Sequence, residues 1–248
     1  MADFKDYLTD KKFNGHISLE TIEDGIDTII ENVKTLLDDI QVLLDNKRYA
    51  RSFSLAITVL EEVGKISVLV KMANLTPRTQ KLWKECWAEY RDHNRKSSFG
   101  FVQSLLDQNR GGKIEDLLKL ALNQFMASDA IERLRQLGLY VDYNSEKKLW
   151  TAPKDLPAEL AEGVVNLATQ AVNRVANLQQ AGLYSLQVLS LKQKLYGSLQ
   201  EEFNSEPVTP ERLDYLMKKG IEIHKEVFRE LAKIGIDISE DELLFRLE

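Results

Sequence analysis

The sequence predicts an all-α fold: a bundle of about seven helices with a small hairpin or extended loop near residues 139–150. Glycine and proline are scarce, at 12 and 5 of 248 residues, and so few chain breakers argue against a turn-rich all-β fold. Apolar residues instead recur at three- and four-residue steps, the spacing of one helix face. Hydrophobic residues make up 44% and charged residues 29% of the chain, which excludes general disorder.

The first helix is predicted over residues 18–45, where apolar side chains repeat with helical spacing. Asn46-Lys47 is the expected break, and a more apolar second helix follows over about 48–73. Thr76-Pro77 combines an N-cap with a proline at the first helical position, which predicts a third helix to about Lys96.

The middle of the chain changes pattern. Gly111-Gly112 is a break, and a further helix fits 113–136, with Gly138 in the position just past the helix end. Residues 139–150 then form two short extended runs around an Asn-Ser turn, which predicts the hairpin or ordered loop.

The C-terminal part is again helical. Pro157 can begin a long helix to about Phe203, and Asn204–Pro207 ends it. Thr209-Pro210 begins the next helix, to about Lys233, and the capping-box pattern Ser239–Glu242 predicts a short last one.

These elements predict a single all-α domain over residues 1–248. Residues 1–138 would form the core bundle, 139–156 the hairpin or loop, and 157–248 a second packing layer. The single Cys86 excludes an internal disulfide framework and a multi-cysteine zinc site. No secretory signal and no apolar membrane span is evident, so we expect a cytoplasmic protein with no membrane partner.

Two adjacent carboxylates in the second helix are the first candidate site residues. With about 100° per residue, Glu62 lies in an apolar stripe, where an isolated charge is costly and needs a partner. Glu61 shares a face with Ser54, Thr58 and Lys65, and Lys65 stands in the favourable order for an ion pair with it. The alternative is a structural buried carboxylate beside a surface ion pair.

The third helix carries the second group. Trp83, Trp87 and Tyr90 form an aromatic stripe that we assign to the core, and Cys86 is expected to be a buried thiol. His93 shares a face with Lys96. If helices two and three pack antiparallel, Glu61/Glu62 could meet His93/Lys96 in one pocket, with His as acid–base and a cation holding phosphate.

Positive charge is concentrated in residues 71–113. This segment holds nine basic and four acidic residues, a net charge of +5 on a chain whose total is −6. Such a segment can attract phosphate, and therefore RNA. The alternative is that these charges only solvate a helix face or pair with the acidic remainder.

Three sequence blocks now carry a family resemblance. Residues 49–65 resemble the "rA…LaxxAxEExGK" helix of the AbiV family of bacterial abortive-infection proteins. Residues 87–96 resemble its "H-x-x-K" helix, and Gly138–Asp142, followed by Trp150 and Pro153, its "LYVD…W…P" segment.

The resemblance implies a cytoplasmic bacterial protein that aborts phage infection at the expense of the host cell. The family is distantly similar to the helical HEPN superfamily, many of whose members are metal-independent ribonucleases that dimerise across their active sites. Those nucleases carry an Arg, then four to six intervening residues, then His, but the slots that this spacing leaves before His93 hold Cys86, Trp87 and Ala88. Ribonuclease activity therefore cannot simply be carried over.

A variant site remains as a hypothesis. Its catalytic residues would be Glu61, Glu62, His93 and Lys96. The candidate binding residues are Lys65, Arg91, Arg95, Tyr140 and Asp142. No cofactor and no metal-ligand set is predicted, although Glu89/His93 could make half of a metal site.

The functional hypothesis is an effector that blocks phage propagation through RNA or the translation machinery after a phage-encoded trigger. A homodimer is expected, through an isologous contact of the apolar first and second helices. The first alternative is a non-catalytic helical module that sequesters a phage or host protein. The second is a metal-dependent hydrolase.

Overall fold

The computed structural model describes residues 12–76, 80–92, 135–136, 138–144, 148–151, 157–205 and 209–236. Within them lie six helices and a two-stranded hairpin, so the predicted all-α class with a small extended excursion is confirmed. Residues 113–134 of the helix predicted over 113–136 lie outside the described residues, as does the short last helix. The elements are α1 (Leu19–Asp45), α2 (Tyr49–Ala73), α3 (Gln80–Arg91), β1 (Asp142–Asn144), β2 (Leu149–Thr151), α4 (Ala158–Gln180), α5 (Leu186–Ser205) and α6 (Pro210–Lys233).

Helix α1 begins and ends as the sequence predicts. The Ser18 side chain accepts a hydrogen bond from the Thr21 amide at 3.2 Å, which satisfies one of the free amides of the first turn. The helix ends at the predicted break, where Asn46 caps it and Lys47 takes a left-handed conformation with φ of 55°. Its isoleucine-rich face is fully buried, which is the apolar face that the spacing indicates.

Helix α2 is the centre of the fold. It packs against α1 and α4 along most of its length, and also contacts α3 and α5. Because it is covered on several sides, it is buried nearly all round. The main hydrophobic core therefore joins side chains of α1, α2, α3 and α4, and the candidate site residues of α2 lie next to it.

The prediction of one long helix from Pro157 to about Phe203 is wrong, because the chain reverses between Gln180 and Leu186. Gly182 takes a left-handed conformation with φ of 74°, and its amide donates to Gln179 O while that of Leu183 donates to Leu178 O. This pair of bonds is a Schellman motif, and the buried Leu178 and Leu183 supply its hydrophobic contact. Gly182 therefore stops α4 inside the stretch that the sequence predicts as one continuous helix.

Acidic residues of α1 hold this reversal in place. The Glu23 carboxylate accepts the amide hydrogen of Leu186 at 2.9 Å, and so caps the first turn of α5 from a neighbouring helix. One turn along α1, Asp27 accepts from the Gln179 side chain at 2.6 Å. Beyond the reversal, α5 and α6 pack against each other over a second, smaller cluster that includes Val188, Val227 and Leu231.

The role predicted for Gly138 is also wrong. The residue is helical rather than left-handed, and the Tyr140 amide still donates to Gln136 O at 2.8 Å. What requires a glycine here is close packing on α2, since an added Cβ would lie 2.1 Å from Ser54 Oγ and 2.5 Å from Ala50 O.

The hairpin forms where the sequence predicts it. Strands β1 and β2 pair antiparallel, with Asp142 opposite Thr151, Tyr143 opposite Trp150 and Asn144 opposite Leu149. No described helix has an apolar stretch of the length that a membrane crossing needs.

Candidate functional site

The first component of the site is Glu61, which α2 buries almost completely. Only 4% of the residue is exposed, and its Oε1 lies 3.8 Å from Nε of Arg135. Arg135 is itself mostly buried, so the pair is shielded from screening by solvent. A carboxylate and a guanidinium 74 residues apart in sequence thus meet against the central helix.

The backbone around Arg135 is held on α2 by small residues. The Ser54 hydroxyl donates to Arg135 O at 2.8 Å and lies 3.1 Å from Ala50 O. Because Gly138 has no side chain, the same segment can approach this face of α2. Ser54 and Gly138 therefore fix the position from which Arg135 reaches Glu61.

The second component joins α2 to α3. Lys65 forms an ion pair with Glu62, both side chains being less than one-fifth exposed, and its Nζ lies 5.4 Å from the centroid of the Tyr90 ring. Burial raises the pKa of the Tyr90 phenol; Lys65 opposes this rise and Glu62 adds to it. Tyr90 therefore stays protonated at neutral pH, beside a carboxylate and a cation.

The predicted order of burial of the two carboxylates is reversed. The sequence placed Glu62 in the apolar stripe and paired Glu61 with Lys65, whereas Lys65 pairs with Glu62, one helical turn before it, and Glu61 is the more buried residue. The reason is that the face of α2 bearing Ser54 and Glu61 is covered by the segment that carries Arg135.

A third ion pair lies further along the same two helices. Lys71 Nζ contacts Glu89 Oε2 at 2.7 Å, and Glu89 is almost fully buried while Lys71 is half exposed. Nearby Cys86 is a buried thiol, as predicted, and burial raises its pKa to about 11, with Lys71 opposing the rise. This thiol is unsuited to be a nucleophile, because the thiolate is the reactive form.

Arg91 completes the described part of α3. Its guanidinium donates to Phe13 O at 3.0 Å and to Asn14 Oδ1 at 2.7 Å. The residue that the sequence selects as a binding residue is therefore occupied by the chain's own N-terminal segment.

The remaining predicted site residues fall into two groups. His93, Arg95 and Lys96 lie outside the described residues, so their expected meeting with Glu61 and Glu62 stays a prediction. Tyr140 is 62% exposed, and Asp142 is the first residue of β1. Within the described ranges, no group of three or more His, Cys, Asp or Glu side chains is arranged to hold a metal ion.

Two residues of the cluster were not foreseen as site residues. Tyr90 belongs to the aromatic stripe assigned to the core; Trp83 is indeed buried there, but Tyr90 also contacts the cation of Lys65. Arg135 ends a predicted helix, and no local spacing relates it to Glu61. A buried carboxylate almost always has a cation as its partner. Only this rule could have suggested that an arginine distant in sequence pairs with Glu61.

The geometry thus presents two adjacent carboxylates, each paired with its own cation, and one protonated phenol across the α2–α3 contact. Comparison with protein families shows one match: the HEPN-type model described as AbiV covers residues 21–173. That range contains α2, α3, the hairpin and most of α1 and α4, and so every candidate site residue. No curated protein and no solved structure matches the chain.

Proposed function

The chain belongs to the AbiV family, whose members act in abortive infection and so in defence against phage, and we propose that it is an effector of this kind in the bacterial cytoplasm. It would block phage propagation by acting on RNA or the translation machinery after a phage-encoded trigger. The observation that carries the proposal is the family match over α1–α4, which includes the paired carboxylates of α2. Fold likeness alone would be insufficient, because function depends on sites.

The Glu62–Lys65–Tyr90 cluster is the described part of the proposed working site. A partly buried cation beside a neutral phenol supplies a positive charge and a hydrogen-bond donor in one place. A phosphate group is the kind of ligand that such donors bind. The net positive charge of residues 71–113, the segment whose sequence includes α3, supports an RNA ligand.

The first prediction concerns Glu62→Gln. We expect loss of phage protection without unfolding, because glutamine keeps the shape of the side chain but removes the charge that positions Lys65. The measurement is phage plaquing on cells that carry either gene at matched protein levels, with thermal unfolding of the purified proteins alongside.

Glu85→Gln is the matched control, since Glu85 is a carboxylate on α3 whose side chain is 56% exposed. It should protect like the wild type. Full protection by Glu62→Gln would contradict the proposed site, and a large loss of thermal stability would assign Glu62 a structural role. His93→Ala, assayed in the same way, tests the site residue predicted from sequence.

A non-catalytic binding module is the second candidate function. It is favoured by one observation: Glu61, Glu62 and Glu89 each form an ion pair within the chain, as members of a structural network would. The two candidates differ in the fate of RNA after infection. Degraded RNA in protected cells supports action on RNA, and intact RNA supports sequestration of a protein.

We also propose a homodimer. The apolar faces of α1 and α2, from which the sequence predicted the contact, are buried within the chain. Helix α6 instead exposes Leu213, Met217 and Ile221 at four-residue steps. One edge of this stripe carries the ion pairs Asp214–Lys218 and Glu222–Lys225, so an antiparallel second copy can place opposite charges face to face.

A further inference from the structure

The N-terminal segment Phe13–His16 lies across α3 without regular secondary structure of its own. At its start, the Phe13 ring meets the Trp87 indole edge to face, with centroids 5.6 Å apart and an angle of 86°. Arg91 donates to Phe13 O and to the side chain of Asn14. A single side chain of α3 therefore binds two successive residues of the segment.

The next two residues repeat this arrangement. The Trp87 indole N–H donates to Gly15 O at 2.8 Å, and the His16 ring meets Trp83 at 4.8 Å between centroids. Gly15 suits this arrangement, since an added Cβ would lie 2.9 Å from the end of the Phe13 ring, which folds back over the glycine and would have to shift. The segment is thus seated residue by residue along one face of α3.

This mode of contact reads a peptide rather than a particular side chain. Two of the three hydrogen bonds end on main-chain carbonyl oxygens, those of Phe13 and Gly15. Indole and guanidinium groups are donors only, so Trp87 and Arg91 need acceptors whenever the segment is away. Main-chain bonds combined with pockets for a few side chains are how surfaces bind extended peptides.

The face of α3 that binds this segment is small, and it is in contact with the proposed site. Phe13 remains 54% exposed although its ring contacts the Trp87 indole. Trp87 also meets Tyr90 edge to face at 5.5 Å, and Tyr90 in turn lies under Lys65. A change in the segment bound to Trp87 would therefore affect Tyr90, the residue that contacts the Glu62–Lys65 pair.

We propose that the face of α3 formed by Trp83, Trp87 and Arg91 is a peptide-binding surface, occupied by residues 13–16 of the same chain. Its exchangeable ligand is a segment of a protein partner with an aromatic residue two positions before a glycine. The binding of a peptide to this surface does not depend on the proposed function. That a protein trigger acts on the α2–α3 cluster through this surface does rest on the proposed function. The structure favours a peptide over RNA because Trp87 and Arg91 already donate hydrogen bonds to main-chain carbonyl oxygens on this surface.

The test uses the full chain with its own segment loosened by Phe13→Ala and Asn14→Ala together. The probe is a fluorescent synthetic peptide with the sequence of residues 10–17, and binding is followed by fluorescence anisotropy. We expect saturable binding, with an affinity about tenfold or more higher for the loosened chain than for the wild type. In the wild type, residues 13–16 already occupy the surface and compete with the peptide. Gly15→Ala is a second loosened variant, should the double change prevent folding.

Trp87→Phe in the loosened chain keeps an aromatic ring and removes the indole N–H, so it should weaken peptide binding. Lys84→Ala, an exposed residue of the same helix, is its control. The proposal is overturned if the peptide does not bind the loosened chain, or if Trp87→Phe binds it unchanged. It is equally overturned if an RNA oligonucleotide binds there and the peptide does not.

Phage plaquing separates this proposal from the proposed function. A wild-type gene that gives no protection would count against the antiphage function while leaving peptide binding to be judged by anisotropy. A protective gene whose protein fails the anisotropy test would sink the peptide surface alone.

Discussion

At the residue scale, Gly138 decides how closely the Arg135 segment approaches the central helix. The contact it allows brings Arg135 O to the Ser54 hydroxyl and Arg135 Nε to Glu61. A side chain at residue 138 would have to displace the backbone of Ala50, which lies inside α2 and cannot move alone. The buried Glu61–Arg135 ion pair therefore depends on residue 138 having no side chain.

We predict that Gly138→Ala destabilises the fold by about 1–3 kcal/mol, the usual cost of forcing an extra carbon into a packed contact. It should also weaken the Glu61–Arg135 pair and, with it, phage protection. The measurement is the free energy of unfolding from urea titration.

Gly163→Ala is a matched control, because an added Cβ at this position of α4 meets nothing within 4 Å. There alanine should stabilise the helix by about 0.5–1 kcal/mol, since it restricts the unfolded chain. If Gly138→Ala is as stable as the wild type or more stable, the close approach at Gly138 does not contribute to the stability of the fold.

The two carboxylates show where residue-level prediction reached its limit. Helical spacing correctly identified Glu61, Glu62 and Lys65 as neighbours that need charge partners. It could not tell which side of α2 is covered, because a helical wheel orders residues around an axis but does not place other elements. That information came from Arg135, whose position depends on tertiary packing rather than on local pattern.

At the scale of elements, helix ends explain most of the agreement and the main error. Thr209 caps α6 through its side chain and Pro210 begins the helix, as predicted. The break at Gly182 was missed because alanine and leucine surround it and continue the helical period on both sides. A lone glycine costs little inside a helix, so its stop signal depends on the contact of Leu178 with Leu183.

Helix α1 ends in the same type of motif but without glycine. The amide of Lys47 donates to Leu44 O and that of Arg48 to Leu43 O, both at 2.8 Å. Lys47 therefore carries a Cβ in the left-handed region, which costs about 1–2 kcal/mol.

We predict that Lys47→Gly stabilises the protein by about 0.5–1 kcal/mol, the strain relieved less the extra entropy of an unfolded glycine. Lys34→Gly, the same change at an exposed position inside α1, should destabilise it by about 1 kcal/mol. Melting temperatures of the two variants relative to the wild type check the opposite signs; a lower value for Lys47→Gly would contradict the strain argument.

At the scale of the whole molecule, the class was accessible from composition and the assembly of helices was not. Scarce glycine and proline, together with the isoleucine stripe of α1, predict a helical bundle, and the two extended runs of residues 139–150 predict the hairpin. The pattern did not reveal that α4 packs into the same core as α1 and α2, nor that a second cluster joins α5 and α6 to the end of α4. Amphipathic spacing shows that a helix face will be buried. Which helix covers that face depends on the chain reversal at Gly182 and on the hydrogen bond that Glu23 accepts from Leu186.

The same packing bears on the oligomeric state. The described chain leaves an apolar stripe on α6, where Leu213, Met217 and Ile221 are 44%, 61% and 53% exposed. Three large apolar side chains in line are more than the scattered exposure that monomers normally show. A second copy of α6 would bury them, and the mixed charges beside the stripe suit an antiparallel pair.

We predict that the wild-type protein sediments with twice the 28.4 kDa mass of one chain, and that Met217→Glu shifts it towards the monomer. The reason is that a carboxylate in the centre of the stripe would have to be desolvated twice, once from each copy. Val42→Glu makes the same kind of change at an exposed residue of α1, away from the stripe, and should leave the mass unchanged. If Val42→Glu dissociates the dimer and Met217→Glu does not, the interface lies on α1 after all. A wild type that sediments as one chain at all concentrations would exclude the homodimer and leave the stripe to another partner.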